Sequence, residues 1–183
     1  VGWQRQQNGI SVQEALESAI EEITKQKVIL HAAGRTDAGV HALGQVAHFD
    51  LDAEHDPYKL LKSINHFIRP HDISILNCES VSQDFHARFS AQKRHYKYII
   101  LNRISDSVIY RNRVWHVHNT LDVHSIKEAA IFLIGQHDFT SFRAKECQSQ
   151  SPVKTLDRLD ISVDEDNFIS FYLEAKSFLH HMV

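Results

Sequence analysis

The amino-acid sequence predicts an α+β fold, arranged as two similar halves that meet at a central cleft. At 183 residues it suits one large domain or two small ones, and 43% apolar residues are enough for a hydrophobic core. The first part of the chain has the pattern helix, strand, strand, helix, strand, which suits helices on one face of a mainly antiparallel sheet. We therefore expect an N-terminal half over residues 1–90 and a C-terminal half over residues 91–183.

The elements of the first half follow from helix signals and from the period of the apolar residues. Ser11 and Glu14 have the spacing of a capping box, which begins a helix. Pro57 suits the first turn of a second helix, where a missing N–H costs nothing. The predicted elements are a helix over about 12–26, strands near 28–32 and 43–50, a helix over about 57–68 and a strand over 73–81.

The second half begins with the alternating stretch Arg94–Ile100, which is typical of a half-buried strand. Asp122 then begins a third helix, and Gly135 is a natural C-terminal stop for it. A final hairpin is predicted, with strands near 156–164 and 167–177 that turn at Asp164–Asn167.

Composition narrows the class of protein. No apolar run approaches the roughly 18 residues of a membrane helix. Only Cys78 and Cys147 are present, and two distant cysteines indicate reduced thiols in a cytoplasmic protein. The 14 histidines show no zinc-site spacing, so no metal is expected. A formal charge of −3 means that any nucleic-acid binding must come from a local basic surface.

The stretch Gly34–His41 is the strongest candidate for a functional loop. It lies between two predicted strands and contains Arg35, a permanent planar cation, and Asp37, a possible base, metal ligand or nucleophile. Ordinary turn chemistry is the structural alternative, because Asp and Gly are common in turns and Arg35 could simply pair with Asp37.

The unbroken string from Gly34 to His41 resembles the catalytic loop of the TruA family of tRNA pseudouridine synthases. Further stretches resemble that family along nearly the whole chain. They are Gly2–Gln6, Phe85–Ala91 with Arg94–Tyr98 after it, Gly135–Arg143, Ser151–Thr155 and Phe178–Val183. The resemblance also implies a strand before Gly2, and an arginine and a terminal helix after Val183, so that the second half is expected to be truncated.

The resemblance implies an RNA-modifying isomerase that converts uridine to pseudouridine at positions 38, 39 and 40 of the tRNA anticodon arm. Asp37 matches the catalytic nucleophile, and Tyr96 matches a tyrosine that stacks on the flipped uracil and could act as a base. Arg35 is expected to assist base flipping or hold a phosphate. The reaction conserves all atoms, so no cofactor or metal is implied, and the family acts as a homodimer.

Basic and aromatic residues alternate around the second half's first strand, a composition that suits looped RNA. A solvated strand face is the structural alternative. The expected RNA-binding residues are Arg5, Arg88, Lys93, Arg94, Lys97 and Arg143.

Two other functions remain open from the residues alone. One is a hydrolase that uses Asp37 with His41 or His86 around a metal, although no further ligand set is evident. The other is a non-catalytic RNA-binding module of similar fold, which would have no need of Asp37.

Overall fold

The computed structural model describes all residues from Val1 to Val183, which form two compact units, Val1–Ala91 and Gln92–Val183. Both units combine helices with β-structure, which confirms the predicted α+β class. None of the helices is long and apolar enough to cross a bilayer.

The first unit is organised around two helices and a very short antiparallel sheet. Helix α1 packs on α2 through Leu16, Ile20 and Ile64, which lie in one buried cluster with Trp3 and Leu30. The elements are α1 (Val12–Thr24), β1 (His31–Ala32), β2 (Ala47–His48) and α2 (Pro57–Phe67), and His31 pairs with His48 across the sheet.

The predicted helices and caps of this unit are confirmed, but its strands are not as predicted. Ser11 caps α1 by accepting from the Glu14 N–H at 3.1 Å. The strands predicted near 28–32 and 43–50 shorten to two residues each. The strand predicted over 73–81 was wrong, since no strand is formed there.

A side chain takes the place of a neighbouring strand beside residues 73–81. Asn65 accepts from the Ile75 N–H and donates to the Ile75 carbonyl, both at 2.8 Å. Ile73 and Ile75 pack against the core of the unit. The apolar alternation therefore reflects burial on one face, without the ladder of backbone hydrogen bonds that defines a strand.

The second unit is a five-stranded mixed sheet with one α-helix. The strand order is β4-β3-β7-β6-β5, antiparallel except for the pair β3–β4. The core cluster consists of Phe139, Leu156, Ala175 and Leu179. The elements are β3 (Arg94–Leu101), β4 (Trp115–His116), α3 (Val123–Ile131), β5 (Gly135–Asp138), β6 (Val153–Val163) and β7 (Phe168–Ala175).

The helix and the hairpin of this unit form close to their predicted positions. Asp122 caps α3 by accepting from the N–H groups of His124 and Ser125. Gly135 does not end α3 directly; with φ +104° it begins β5 instead. The turn from β6 to β7 uses Asp164 as predicted, since its Oδ1 accepts from Phe168 N at 2.9 Å.

Glu17 connects α1 to the residues that lead into β1. Its carboxylate is buried and accepts from the Leu30 N–H at 3.0 Å and from the Gln13 side chain at 2.8 Å. Its second oxygen lies 3.3 Å from the guanidinium of Arg5. A buried carboxylate with these partners holds the start of the sheet against the helix.

We expect Glu17→Ala to lower the free energy of unfolding by about 1–3 kcal/mol, because it leaves the Leu30 N–H buried without its acceptor. Glu21→Ala, at an exposed position of the same helix, is the control and should change stability by less than about 0.5 kcal/mol. Urea denaturation measures both. Equal losses in the two variants would contradict this account of Glu17.

Candidate active site

The loop between β1 and β2 carries Arg35 and Asp37, whose side chains are both exposed. The carbonyl of Asp37 accepts from the Val40 N–H at 3.2 Å and closes a four-residue turn. Gly39 is the third residue of that turn, with φ +81°, a conformation that residues with a side chain rarely adopt. A tight turn therefore presents the Asp37 carboxylate to solvent.

The N-terminal residues hold this loop against the core. The Trp3 N–H donates to the Thr36 carbonyl at 3.0 Å, and the Trp3 carbonyl accepts from the Gln13 N–H at 3.0 Å. The indole of Trp3 is only 6% exposed and packs with Leu16 and Ile20 of α1. The main chain directly before Asp37 is thereby linked to the first turn of the helix.

Gly2 approaches the loop more closely than any other residue type could. A Cβ at this position would lie 2.5 Å from the Thr36 carbonyl oxygen and 2.9 Å from the Asp37 carbonyl carbon. Both neighbours are backbone atoms, which cannot turn away as a flexible side chain can. Gly2 is thus a close-approach glycine, and its missing side chain sets how near the loop lies to α1.

The two ends of the loop are held by β2 and the residues before it. The Ala33 N–H donates to the Val46 carbonyl at 2.8 Å, and the Gln45 side chain donates to the Gly34 carbonyl at 2.7 Å. These bonds continue the pairing of β1 with β2 into the loop. Its geometry is therefore defined at both ends as well as at the turn.

Three histidines of the first unit form a ring cluster beside the loop's strands. The rings of His31 and His48 stack at 5.1 Å, and His86 lies 4.6 Å from His48. His48 Nδ1 accepts from the Ala87 N–H and His86 Nδ1 accepts from the Arg88 N–H, both at 3.2 Å. A ring nitrogen can accept only when it carries no proton, so both bonds require neutral imidazoles.

The surroundings of His48 favour its neutral form. Burial is the main cause, followed by the nearby imidazoles of His86 and His31, and together they lower the pKa of His48 below its ordinary value despite the opposing charge of Asp50. The segment after Phe85 is therefore attached to β2 by a hydrogen bond that protonation would break.

A cavity of about 430 Å³ lies next to this cluster. Arg35 of the loop and Arg88 both line it, as do the rings of His86 and Phe89. Two of the predicted functional cations therefore line the same cavity, although they lie 53 positions apart in the sequence. Strand register and turn geometry bring Arg35 and Arg88 together, and no local sequence pattern predicts that they share a cavity.

Tyr96 lies in β3 of the second unit, half-buried and directly opposite Leu173 of β7. Its ring meets the ring of Phe178 edge-on at a centroid distance of 5.0 Å. Tyr98 shares this face of the strand, as expected from alternation, and is 41% exposed. The contact with Phe178 holds the Tyr96 ring in one orientation.

The basic residues around β3 do not form one surface around Tyr96. Lys97 lies on the opposite face of the strand, with its Nζ 5.2 Å from the centre of the Tyr172 ring. A hydrogen bond from Lys97, together with its charge, lowers the pKa of Tyr172. Arg94 shares the face of Tyr96 and donates to the Lys176 carbonyl.

Acidic side chains accompany the cations on the Lys97 face. Lys93 Nζ lies 3.6 Å from Asp157 and 3.8 Å from Glu174. Glu174 also pairs with His95 at 3.3 Å and with Arg158 at 3.0 Å, and the hydrogen bond from Arg158 is the main cause that lowers its pKa. This face is a mixed ion-pair network, which corresponds to the solvated strand face considered above.

The remaining predicted cations have different surroundings. Arg5 pairs with Glu17 in the first unit. Arg143 is exposed and follows a 3₁₀ turn over Thr140–Phe142. Hydrogen bonds from Thr140, and then the charge of Arg143, lower the pKa of Asp138. Sequence reasoning missed the close approach of Gly2 to the loop and the histidine cluster, since both depend on register and packing.

We expect acid to destabilise the first unit through His48. Its lowered pKa means that the unfolded chain binds a proton first, so stability present above about pH 6.5 is lost as the pH falls through the folded-state pKa. His48→Asn keeps an acceptor for the Ala87 N–H at every pH. The melting temperature of this variant should therefore fall less between pH 7.5 and 5.5 than that of the parent.

The exposed His118 supplies the control for this comparison. His118→Asn should retain the full pH dependence of the parent, measured by thermal unfolding at each pH. The interpretation fails if both variants follow the parent curve equally.

Comparison with known proteins shows the family to which the chain is similar. A family described as tRNA pseudouridine synthase matches residues 2–90 and 129–183, which include the loop, Gly2, Arg88 and the C-terminal stretch. A protein of Ehrlichia canis named tRNA pseudouridine synthase A is 53% identical over all of this chain and 75% of its own length. A protein of Anaplasma phagocytophilum with the same name is 51% identical over the same shares. The chain therefore belongs to the tRNA pseudouridine synthase family.

Proposed function

We propose that this chain isomerises uridine to pseudouridine in tRNA, with Asp37 as its catalytic carboxylate. The observation that carries the proposal is the exposed Asp37. Its loop is hydrogen-bonded to the backbone of the buried Trp3 and is closely approached by Gly2. Proteins that share about half of its residues along its whole length are named tRNA pseudouridine synthase A.

The reaction breaks the bond between ribose C1′ and uracil N1 and forms a bond between C1′ and C5. The base turns over between these steps, N1 gains a proton, and C5 loses one. All atoms of the nucleotide are kept, so the chemistry needs one nucleophile or base and a means to hold the detached uracil. A single carboxylate is sufficient for the first of these tasks.

The geometry of the loop suits a catalytic carboxylate. Catalysis by an attacking or abstracting group depends on its position, and a displacement of about 1 Å can cost about a hundredfold in rate. Hydrogen bonds from Trp3 and Gln45 fix the loop, and the turn at Gly39 directs the residue outward. Backbone contacts of the loop thus define the position of Asp37.

The remaining residues take roles around the uracil and the RNA backbone. The target base must leave its stack, at a cost of a few kcal/mol. In our proposal Arg35 assists that step or holds a phosphate. Tyr96, oriented by Phe178, stacks on the uracil and can accept the C5 proton. Arg5, Arg88, Lys93, Arg94, Lys97 and Arg143 are proposed to contact phosphates.

We further propose that the substrates are uridines 38, 39 and 40 of the anticodon arm, that the active form is a homodimer, and that the protein acts in the cytoplasm without cofactor or metal. These proposals rest on the resemblance of the Gly34–His41 loop to the TruA family.

Asp37→Asn should abolish conversion while tRNA binding and the melting temperature stay close to those of the parent, because the amide keeps the size of the side chain but removes its charge. Asp52→Asn, at another exposed aspartate of the same unit, is the control and should convert uridine normally. Conversion is measured as pseudouridine formed in tRNA without added cofactor.

Two results of this experiment would contradict the proposal. Substantial conversion by Asp37→Asn would remove Asp37 from the chemistry. A parent protein that binds tRNA but converts no uridine would favour the non-catalytic RNA-binding module.

Gly2→Ala should lower kcat for tRNA by about a hundredfold with little change in KM, because the added methyl forces the backbone at Thr36 and Asp37 to move. Gly44→Ala is the control within the same loop, since its Cβ would meet nothing within 4 Å. Steady-state kinetics of both variants, with circular dichroism to verify folding, measure the effect. An unchanged kcat in Gly2→Ala would show that the close approach does not position Asp37.

A further inference from the structure

We propose that the cavity beside the histidine cluster is a second RNA subsite, which holds a nucleotide adjacent to the target uridine. Its base stacks on Phe89, and its phosphate is bound by Arg88 and Arg35. This inference rests on the proposed function, because it places a neighbour of the uridine that Asp37 attacks. It assigns a binding role to Phe89 and to the cavity, beyond the reaction itself.

Phe89 forms an exposed aromatic wall of this cavity. Phe89 is 75% exposed, although Ala87, two residues before it, is buried. The ring lines the cavity. The ring of His86 supports it at a centroid distance of 4.3 Å, tilted by 36°. An aromatic ring that is supported by a neighbouring ring and remains largely exposed is the arrangement on which unpaired bases stack.

Hydrogen bonds donated by backbone N–H groups hold the segment that carries Phe89 in place. The Arg88 N–H donates to His86 Nδ1 at 3.2 Å, and the His86 N–H donates to the Ser90 hydroxyl at 3.1 Å. The Ser90 N–H in turn donates to the His86 carbonyl at 2.8 Å. The segment therefore offers a prearranged surface, which reduces the entropy lost when a base stacks on it.

The charges of the cavity suit a phosphate. Arg35 and Arg88 both line it, and no acidic residue does, in a chain whose formal charge is −3. The guanidinium of Arg88 also lies 5.8 Å from the centre of the Phe89 ring. Cation and ring are thus placed together, as the phosphate and base of one nucleotide require.

The size and the lining of the cavity agree with one nucleotide. A volume of about 430 Å³ lies within the range of ligand sites in proteins. Trp3 and Leu30, both buried, contribute apolar lining, and the exposed amide of Gln4 offers a donor and an acceptor to a base edge.

The position of the cavity points to a neighbour of the target rather than to the target itself. The target uridine must meet the Asp37 carboxylate, and Asp37 does not line the cavity. Arg35, two residues earlier in the same loop, does line it. One loop can therefore place Asp37 at one nucleotide and Arg35 at the next.

The test compares three variants in their binding to whole tRNA. Phe89→Leu should raise the Kd by between about fivefold and a hundredfold, which is the range that loss of one base stack produces. Phe89→Trp should bind like the parent, since it restores a stacking ring. Phe132→Leu, at another strongly exposed phenylalanine, is the control and should also bind like the parent. A Phe89→Leu variant that binds as tightly as the parent would overturn the subsite.

A second measurement identifies the nucleotide. tRNA with an abasic residue on either side of the target uridine is bound to the parent and to Phe89→Leu. At one of the two positions the abasic residue should weaken binding to the parent but not to Phe89→Leu, because both changes remove the same stack. Equal losses in both proteins at both positions would overturn the assignment.

Conversion of uridine by the parent is measured in the same preparations and tests the proposed function separately. A parent that converts uridine while Phe89→Leu binds normally contradicts the subsite alone. A parent that converts none contradicts the proposed function, whatever the binding data show.

Discussion

The approach of the N-terminal residues to the loop is the constraint on which the candidate active site depends. Trp3 is buried among the residues of α1, so its backbone has a fixed position at the start of that helix. Its N–H binds the Thr36 carbonyl, and Gly2 lies so close to the same peptide that no side chain fits between them. The free energy of packing the indole thus orders a polar, exposed loop that has no core of its own.

The segment Phe85–Phe89 depends on a different kind of constraint, which is electrostatic. Its backbone N–H groups bind Nδ1 atoms of His48 and His86, and those bonds exist only while the rings are neutral. For His48, burial and then the nearby imidazoles of His86 and His31 lower the pKa and favour the neutral ring. One surface therefore combines uncharged imidazoles with the permanent cations Arg35 and Arg88, so its positive charge does not rely on histidine protonation.

In the second unit, strand alternation separates side chains that are neighbours in the sequence. Tyr96 and Arg94 lie on one face of β3, where Phe178 orients the tyrosine ring. Lys97 and His95 lie on the other face, where Lys97 contacts the Tyr172 ring and Glu174 pairs with His95, Lys93 and Arg158. A count of basic residues along the chain cannot distinguish these faces, but a two-residue period can, once the strand and its neighbours are known.

The sequence by itself determined the three helices with the N-caps Ser11 and Asp122, the hairpin of the second unit and the loop that carries Asp37, because these depend on local patterns. A helix cap needs residues three apart, and a turn needs a glycine at one position. Tertiary structure alone decided what depends on distant residues. It left residues 73–81 without a partner strand and replaced that strand with Asn65. It also placed Gly2 against the backbone of Thr36. Arg35 and Arg88 likewise came to line one cavity only through the tertiary structure. These contacts arise from packing and register, which no local pattern encodes.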